Sequence, residues 1–479
     1  MMKSIRFVGT RFALLLLLAA SALTGNAQFL RTSYFMDGAQ YRLQLNPALA
    51  PTRGFIHLPG ISHANASLRT NSMGFGDVVD VVKNAEDADF FTTDKFNDKL
   101  VDVNKAQAVA GSDLFAVGSW HGKSFISVNI TLKVDGNVRI PRELFSFMRD
   151  MNGMNTNDYS NYVRNIDNQE LNMNAYTEVG VGYTRLIGDK LSVGGRVKGL
   201  LGVGNASLKI HKTTIQTNLQ GVDSDIDWSN LNIEQLRDVN GTASVDVEAD
   251  LVTSFHGLEL KTNQDGYIND VGYKTSKMGI SGFGVAFDLG LAYDVTDDFT
   301  VSAAVNDMGF IKWTKGSTQM AHSNTSSLDF DTNQNPDDML RFAQVVGGSK
   351  VLNWNMIRLT PDRTNLKSRK TNLAATMALG AEYRLANDKV SLGALFTDRF
   401  SQPVNDSELT FSVGVHPSTL LDFAVSYSPI ACGGSSFGLA MKLGPLFVGT
   451  DYMYFGKNTK CCNVLAGLSI PLGGRDDDD

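Results

Sequence analysis

Residues 282–294 read GFGVAFDLGLAYD, and their alternation decides the fold. Phe283, Val285, Phe287, Leu289, Leu291 and Tyr293 fall on one side of an extended chain. Gly284, Ala286, Asp288, Gly290, Ala292 and Asp294 fall on the other. A period of two is that of a β-strand, whose successive side chains point to opposite faces. The face opposite the apolar one carries small residues and isolated charges, where a sheet face bathed in water would carry Thr, Lys and Glu. The same pattern recurs from Leu191 to Val203, Leu373 to Leu385, Leu421 to Tyr427, Phe437 to Leu443 and Val464 to Leu472.

Two packings satisfy such strands. A soluble sandwich turns the apolar face inward, whereas a transmembrane barrel turns it out to lipid around a polar or small-residue lumen. The strands run to about ten residues, the length a tilted strand needs to cross a bilayer. Aromatic residues crowd strand ends (Tyr293, Phe299, Trp313, Tyr383, Phe396, Phe400, Tyr427, Tyr454 and Phe455), as expected of interfacial girdles. Short links near residues 122, 189, 297, 387, 417 and 444 alternate with long ones at 71–112, 137–174, 212–281 and 314–372. Counting back from a last strand at 462–472 puts every short turn on the periplasmic side and every long loop outside. The expected fold is therefore all-β: a transmembrane antiparallel β-barrel of about 14 strands over residues 54–472, with long extracellular loops. Arg142 to Met151, after Pro141, reads as a helix within one such loop.

Composition agrees. Among 479 residues only 19% are charged, and the mean hydropathy of −0.11 excludes a polytopic helical membrane protein. A net charge of −7 provides no basic footprint for nucleic acid. Lys3, Arg6 and Arg11, the apolar run Phe12 to Leu23 and the small residues Gly25-Asn26-Ala27 read as a secretory signal peptide over residues 1–27. That leader implies export to the bacterial outer membrane. Residues 473–479 form an acidic periplasmic tail.

Residues 28–53 precede the first strand. They are too turn-rich for a strand and too aromatic for a solvated tail, so they read as a plug or hatch folded into the barrel. The run MDGAQYRLQLNPAL, with Asn46, Pro47 and Ala48 just ahead of the barrel, resembles the FadL-type outer-membrane transporters and barrels of the PorV type. It is most similar to a family of outer-membrane barrels common in Bacteroidetes. The resemblance implies a conduit for hydrophobic or amphipathic small molecules, closed by the N-terminal segment, with a kinked strand opening sideways to lipid. Its alternative implication is a structural or docking barrel serving other outer-membrane proteins in surface secretion. A plainer reading of Asn46-Pro47 is a turn, and the two readings are compatible.

On the polar faces lie Glu178, Arg196, Lys198, Asp288, Asp294, Glu382, Arg384, Arg399, Asp422, Lys442 and Asp451. Both signs occur, so ion pairs across a narrow or plugged lumen are expected, with ligand contact the lesser alternative. Cys432 and the pair Cys461-Cys462 fall on the same rim. A bridge from Cys432 to Cys461 or Cys462, a vicinal bridge and free thiols all remain open, given the ~7 Å reach of a disulfide. The seven His are scattered without metal-ligand spacing, and no GxSxG elbow is present. The chain thus reads as a non-enzyme without cofactor or metal, with outer-membrane lipid and a hydrophobic ligand as partners. A barrel-embedded hydrolase is the weakest alternative.

Overall fold

The computed structural model describes residues 30–57, 63–84, 88–153, 158–222, 238–323, 328–331, 338, 357–364, 366–400, 406–432, 434–453 and 459–475. The leader, Tyr454, Phe455 and the end of the acidic tail lie outside them. The described residues form a closed antiparallel barrel of fourteen strands. β1 comprises Arg53–His57 and His63–Thr70. β2 (Val103–His121), β3 (Ser124–Pro141), β4 (Gln169–Ile187) and β5 (Leu191–Gln220) are the long ones. β6 (Gly282–Asp294), β7 (Phe299–Trp313), β8 (Arg369–Asn372 with Ala375–Leu385), β9 (Val390–Phe400) and β10 (Asp406–Ser418) follow. β11 (Leu421–Ala431), β12 (Gly434–Leu443), β13 (Leu446–Thr450) and β14 (Cys461–Leu468 with Ile470–Gly474) complete the set. β14 pairs back onto β1, Ile56 opposite Ile470 and Asn65 opposite Leu465, so the wall has no free edge. Closure satisfies the backbone groups that hydrocarbon cannot.

One rim is made of tight turns. Gly122 and Gly444, at φ +55° and +60°, take the left-handed conformation that lets two strands reverse within a few residues. The other rim carries the long connections, with helices α1 (Phe75–Lys83), α2 (Ala88–Thr92), α3 (Asp94–Asn97) and α4 (Arg142–Gly153).

The alternation of residues 282–294 is realised with its apolar side outward. Phe283, Phe287, Leu289 and Leu291 are exposed on the outer wall, while Ala286, Asp288 and Ala292 are buried in the interior. Exposed apolar side chains continue around the barrel through Val193, Val197, Leu379, Leu392, Phe411, Val425 and Val464.

Two expectations need correction. The segments 71–112, 137–174, 212–281 and 314–372 are partly strand rather than loop. β2 to β5 extend well beyond the apolar belt, Asn240–Phe255 pairs onto the outer part of β5, and Thr318–Ser323 and Leu328–Asp331 pair onto Asn240–Phe255 in turn, forming an outer part of the sheet. Periodicity failed there because the outer half of β5 turns Leu208, Ile210, Ile215 and Leu219 inward, into a core shared with Val245, Val247 and Leu251. The second correction is Trp313, which is fully buried and not part of a girdle. A bulge in β7, with Asp307 at φ +58°, adds a residue between Val305 and Met308 and reverses the facing of everything after it. Trp313 therefore packs inside against Tyr176, Leu200 and Ile311 and donates from Nε1 to Thr371 Oγ1 at 2.8 Å.

Candidate functional site

Residues 30–51 sit inside the barrel. Two short 3-10 turns, Arg31–Ser33 and Gln40–Gln44, fold this segment tightly enough to fill the lumen. Leu30, Met36 and Tyr41 pack against Ala424, Ala440 and Phe447 of the wall. Tyr34, Phe35 and Leu45 pack against Ala304, Ala378 and Leu395. Each large apolar side chain so buried contributes about 1.5–3 kcal/mol. The small residues on the inner face now have a cause. A Cβ on Gly449 would collide with Leu30, on Gly438 with Thr32, on Gly380 with Tyr34, on Gly393 with Phe35, and on Gly194 with Pro47.

Asn46, Pro47 and Ala48 lie at the bottom of this segment. Asn46 Oδ1 accepts the Ala48 N–H at 2.9 Å, which closes a turn, and its Nδ2 donates to the Tyr34 hydroxyl at 3.1 Å. The Pro47 carbonyl accepts from Thr184 Oγ1 at 2.6 Å, and that of Ala48 from Ser192 Oγ at 2.6 Å. Turn and wall contact thus reside in the same three residues.

Most of the polar-face charges fall into three groups. Asp451 holds the upper end of the plug, accepting the Arg31 N–H at 3.0 Å, the Thr32 N–H at 2.8 Å and the Thr32 hydroxyl at 2.7 Å. Beside it Glu408 pairs with Arg31 and, at 2.9 Å, with Arg69, while the Tyr452 hydroxyl donates to its other oxygen at 2.5 Å. Asp422, Lys442, Glu382 and Arg384 surround the middle. The Gly38 N–H donates to Asp422 at 3.0 Å, Lys442 Nζ donates to the Thr419 carbonyl at 2.9 Å, and Arg384 lies 3.3 Å from Glu382 and 3.9 Å from Asp37. Asp294, at the short-turn rim, accepts the Thr300 hydroxyl at 2.5 Å.

The third group lines the wall away from the plug. Lys198 Nζ lies 2.7 Å from Asp288, 2.6 Å from Asp307 and 3.7 Å from Glu178. Lys133 lies 2.8 Å from Glu178, and Arg196 lies 3.7 Å from Asp288. Three cations therefore face three carboxylates, and the cluster adds no net charge to the lumen.

Above the plug opens a cavity of about 610 Å³, floored by Gln44 of the plug and walled mainly by β2 to β5 and β7 to β9. Its lining includes the carboxamides of Asn65, Gln107, Asn129, Asn137, Asn172, Asn174 and Asn205. It also reaches Leu373, Ala374 and Ala375, where the β7–β8 ladder is interrupted. Across that gap only the Leu373 N–H to Gly309 carbonyl bond, 3.0 Å, joins the described residues.

Cys432 and Cys461 are bridged, with Cα atoms 6.1 Å apart, and Cys462 is free. The bridge ties the end of β11 to the start of β14 beside the plug anchor, where the Cys432 N–H donates to Glu408 at 3.4 Å.

Sequence reading missed Arg31, Arg69, Lys133, Asp307, Glu408 and Tyr452. Glu408 was readable from alternation with Phe411 and Val413. Asp307 was not, because the bulge alone turns it inward.

A family model described as a family of unknown function, DUF5723, matches residues 47–451. No curated protein matches the chain. Similar solved structures include a mutant of the TodX monoaromatic hydrocarbon channel, whose parent comes from Pseudomonas putida. It is 10% identical with a TM-score of 0.42, over 91% of this chain and 94% of that one. The toluene transporter TbuX of Ralstonia pickettii is 10% identical with a TM-score of 0.40, over 95% and 99%. A FadL homologue from Pseudomonas aeruginosa is 10% identical with a TM-score of 0.36, over 91% of each chain.

Proposed function

The chain belongs to that family of unknown function, DUF5723, and from this premise we propose that it is an outer-membrane conduit for small amphipathic molecules, closed at rest by residues 30–51. The observation that carries this reading is the seat of the plug. Among the described residues, the segment is held in the lumen by hydrogen bonds, ion pairs and small-residue contacts, and its covalent tie to the wall is its continuation into β1. A segment so held can shift without breaking the barrel, because the strands keep their own backbone ladders to one another.

Two further features support the same reading. The exposed apolar side chains of the outer wall suit lipid contact, which supports a membrane setting for the barrel. The cavity above the plug meets the wall at the interrupted β7–β8 ladder, so a ligand held there lies against a break in the strand pairing. A sideways exit through that seam would deliver the apolar part of an amphipathic ligand to lipid.

The test is permeability in proteoliposomes, comparing the full-length protein with a chain lacking residues 28–51. The deletion is expected to raise solute flux severalfold while the barrel keeps its heat-modifiable migration. Flux equal to that of the intact protein would overturn the reading.

A further inference from the structure

Three side-chain carbonyl oxygens in the cavity wall are buried without a hydrogen-bond partner: Gln107 Oε1, Asn137 Oδ1 and Asn205 Oδ1. Their residues are 2%, 7% and 6% exposed. Buried acceptors in native proteins are nearly always satisfied, so three of them on residues that line one cavity point to a donor-bearing ligand there.

The register of the sheet gathers these groups. Gln107 of β2 stands opposite Asn137 of β3, Asn137 opposite Asn172 of β4, and Asn172 opposite Ser207 of β5. On a neighbouring rung Asn174 stands opposite Asn205. Neighbouring strands lie about 4.8 Å apart, so the wall presents a continuous row of uncharged polar groups. Several amide nitrogens are already committed. Asn205 Nδ2 donates to the Met173 carbonyl at 2.9 Å and to Asn174 Oδ1 at 2.5 Å, Asn172 Nδ2 to Glu170 at 2.7 Å, and Asn174 Nδ2 to Asp135 at 2.9 Å. The row still offers the three oxygens as acceptors.

Charge narrows the ligand. The nearby cluster is compensated, and Arg196, Arg369 and Arg399 line the same cavity, which disfavours a cation as the donor. An anion would satisfy the arginine donors of the wall but leave the three carboxamide oxygens without a donor. A neutral hydroxyl supplies a proton and accepts from the buried Arg196 and Arg399 Nε groups, which are also without partners. Tyr176 adds a ring in the same wall.

Resting on the conduit reading above, we propose that the polar part of the transported molecule is a neutral saccharide, read by Gln107, Asn137 and Asn205. Gln44 on the cavity floor puts such a ligand in contact with the plug, so saccharide binding and plug position are coupled.

The experiment is titration calorimetry on the full-length protein in dimethylamine-oxide micelles, with maltotetraose, chitotetraose and mannotetraose as probes. Tetra-alanine and sodium laurate serve as the peptide and apolar arms. Saturable binding of at least one tetrasaccharide is expected, with Gln107→Leu and Asn137→Leu each weakening it at least tenfold. Gln107→Glu, which keeps an acceptor oxygen, is expected to retain binding within threefold. Heat-modifiable migration establishes that each variant is folded. The proposal is overturned if no tetrasaccharide binds saturably, if tetra-alanine or laurate displaces the sugar with equal affinity, or if the leucine variants bind as the parent does. Plug-dependent flux without sugar binding would remove this proposal and leave the conduit standing. Sugar binding without plug-dependent flux would retain the site and remove the conduit.

Discussion

Asp451 illustrates what one residue of the inner face does. Its two oxygens accept from the Arg31 backbone, the Thr32 backbone and hydroxyl, and Asn463 Nδ2 at 3.0 Å, so one carboxylate fixes the upper end of the plug. Arg31 is buried beside it, with Glu408 as its second partner and the Tyr452 ring 5.1 Å away. Removing one partner from a buried charged network costs about 3–5 kcal/mol, since the remaining groups keep their desolvation penalty and lose their compensation. Asp451→Ala is therefore expected to favour the displaced plug by about 3 kcal/mol, a hundredfold or more in the ratio of open to closed barrel. Single-channel recording in planar bilayers should show long openings that the parent lacks. Asp451→Asn keeps the volume but places a donor against donors, and should open the barrel nearly as often. A closed record for both variants would mean that Asp451 does not hold the plug.

At the scale of elements, the outer sheet depends on a clasp. Asp250, on Asn240–Phe255, has His322 Nδ1 2.6 Å from one oxygen and His211 Nε2 2.9 Å from the other, tying three strands together. Partial burial pushes its carboxyl up, but the hydrogen bonds and charges of His322 and His211 outweigh this and hold it below the ordinary carboxylate value. A depressed folded-state pKa means stabilisation that is fully present above the unfolded value and lost as the pH falls through the folded one. Limited proteolysis should thus leave the outer sheet resistant at neutral pH and cut it increasingly below about pH 4. Asp250→Asn should be cut at neutral pH as the parent is in acid, and equal resistance of the two would dismiss the clasp. This sheet also shows where sequence reading stops. The lipid-facing parts of β4 to β12 were legible because hydrocarbon allows only apolar side chains on one face. The outer halves of β2 to β5 extend beyond the belt of exposed apolar side chains, so that constraint lapses and the alternation fades. The plug was legible as a segment, but Arg31 and Arg69 were not assignable to Glu408, because 339 residues separate Arg69 from its partner. The bulge at Asp307 leaves no mark in composition, yet it buries Trp313 and brings a carboxylate to Lys198. The carboxamide row was hidden for a similar reason: its members lie on four strands, and only the register collects them.

For the molecule as a whole, everything depends on which side of the sheet meets lipid. Leu289 is 59% exposed on the outer wall near the middle of β6, whereas Tyr293 lies by the short-turn rim. In water the two positions would be equivalent, and a lysine at either would be harmless. In a bilayer they differ, because a lysine on the lipid face costs about 2–4 kcal/mol at the midplane and about 0–1 kcal/mol near the interface. Leu289→Lys should therefore lower the unfolding free energy in phospholipid vesicles by about 2–4 kcal/mol, and Tyr293→Lys by no more than about 1 kcal/mol. Reversible guanidinium titration in vesicles, followed by tryptophan emission, measures both. The gradient between the two sites carries the argument, since a general intolerance of substitution would affect them alike. Equal costs at the two positions would show that the outer wall does not meet hydrocarbon, and a conduit across a membrane could not then be built from this barrel.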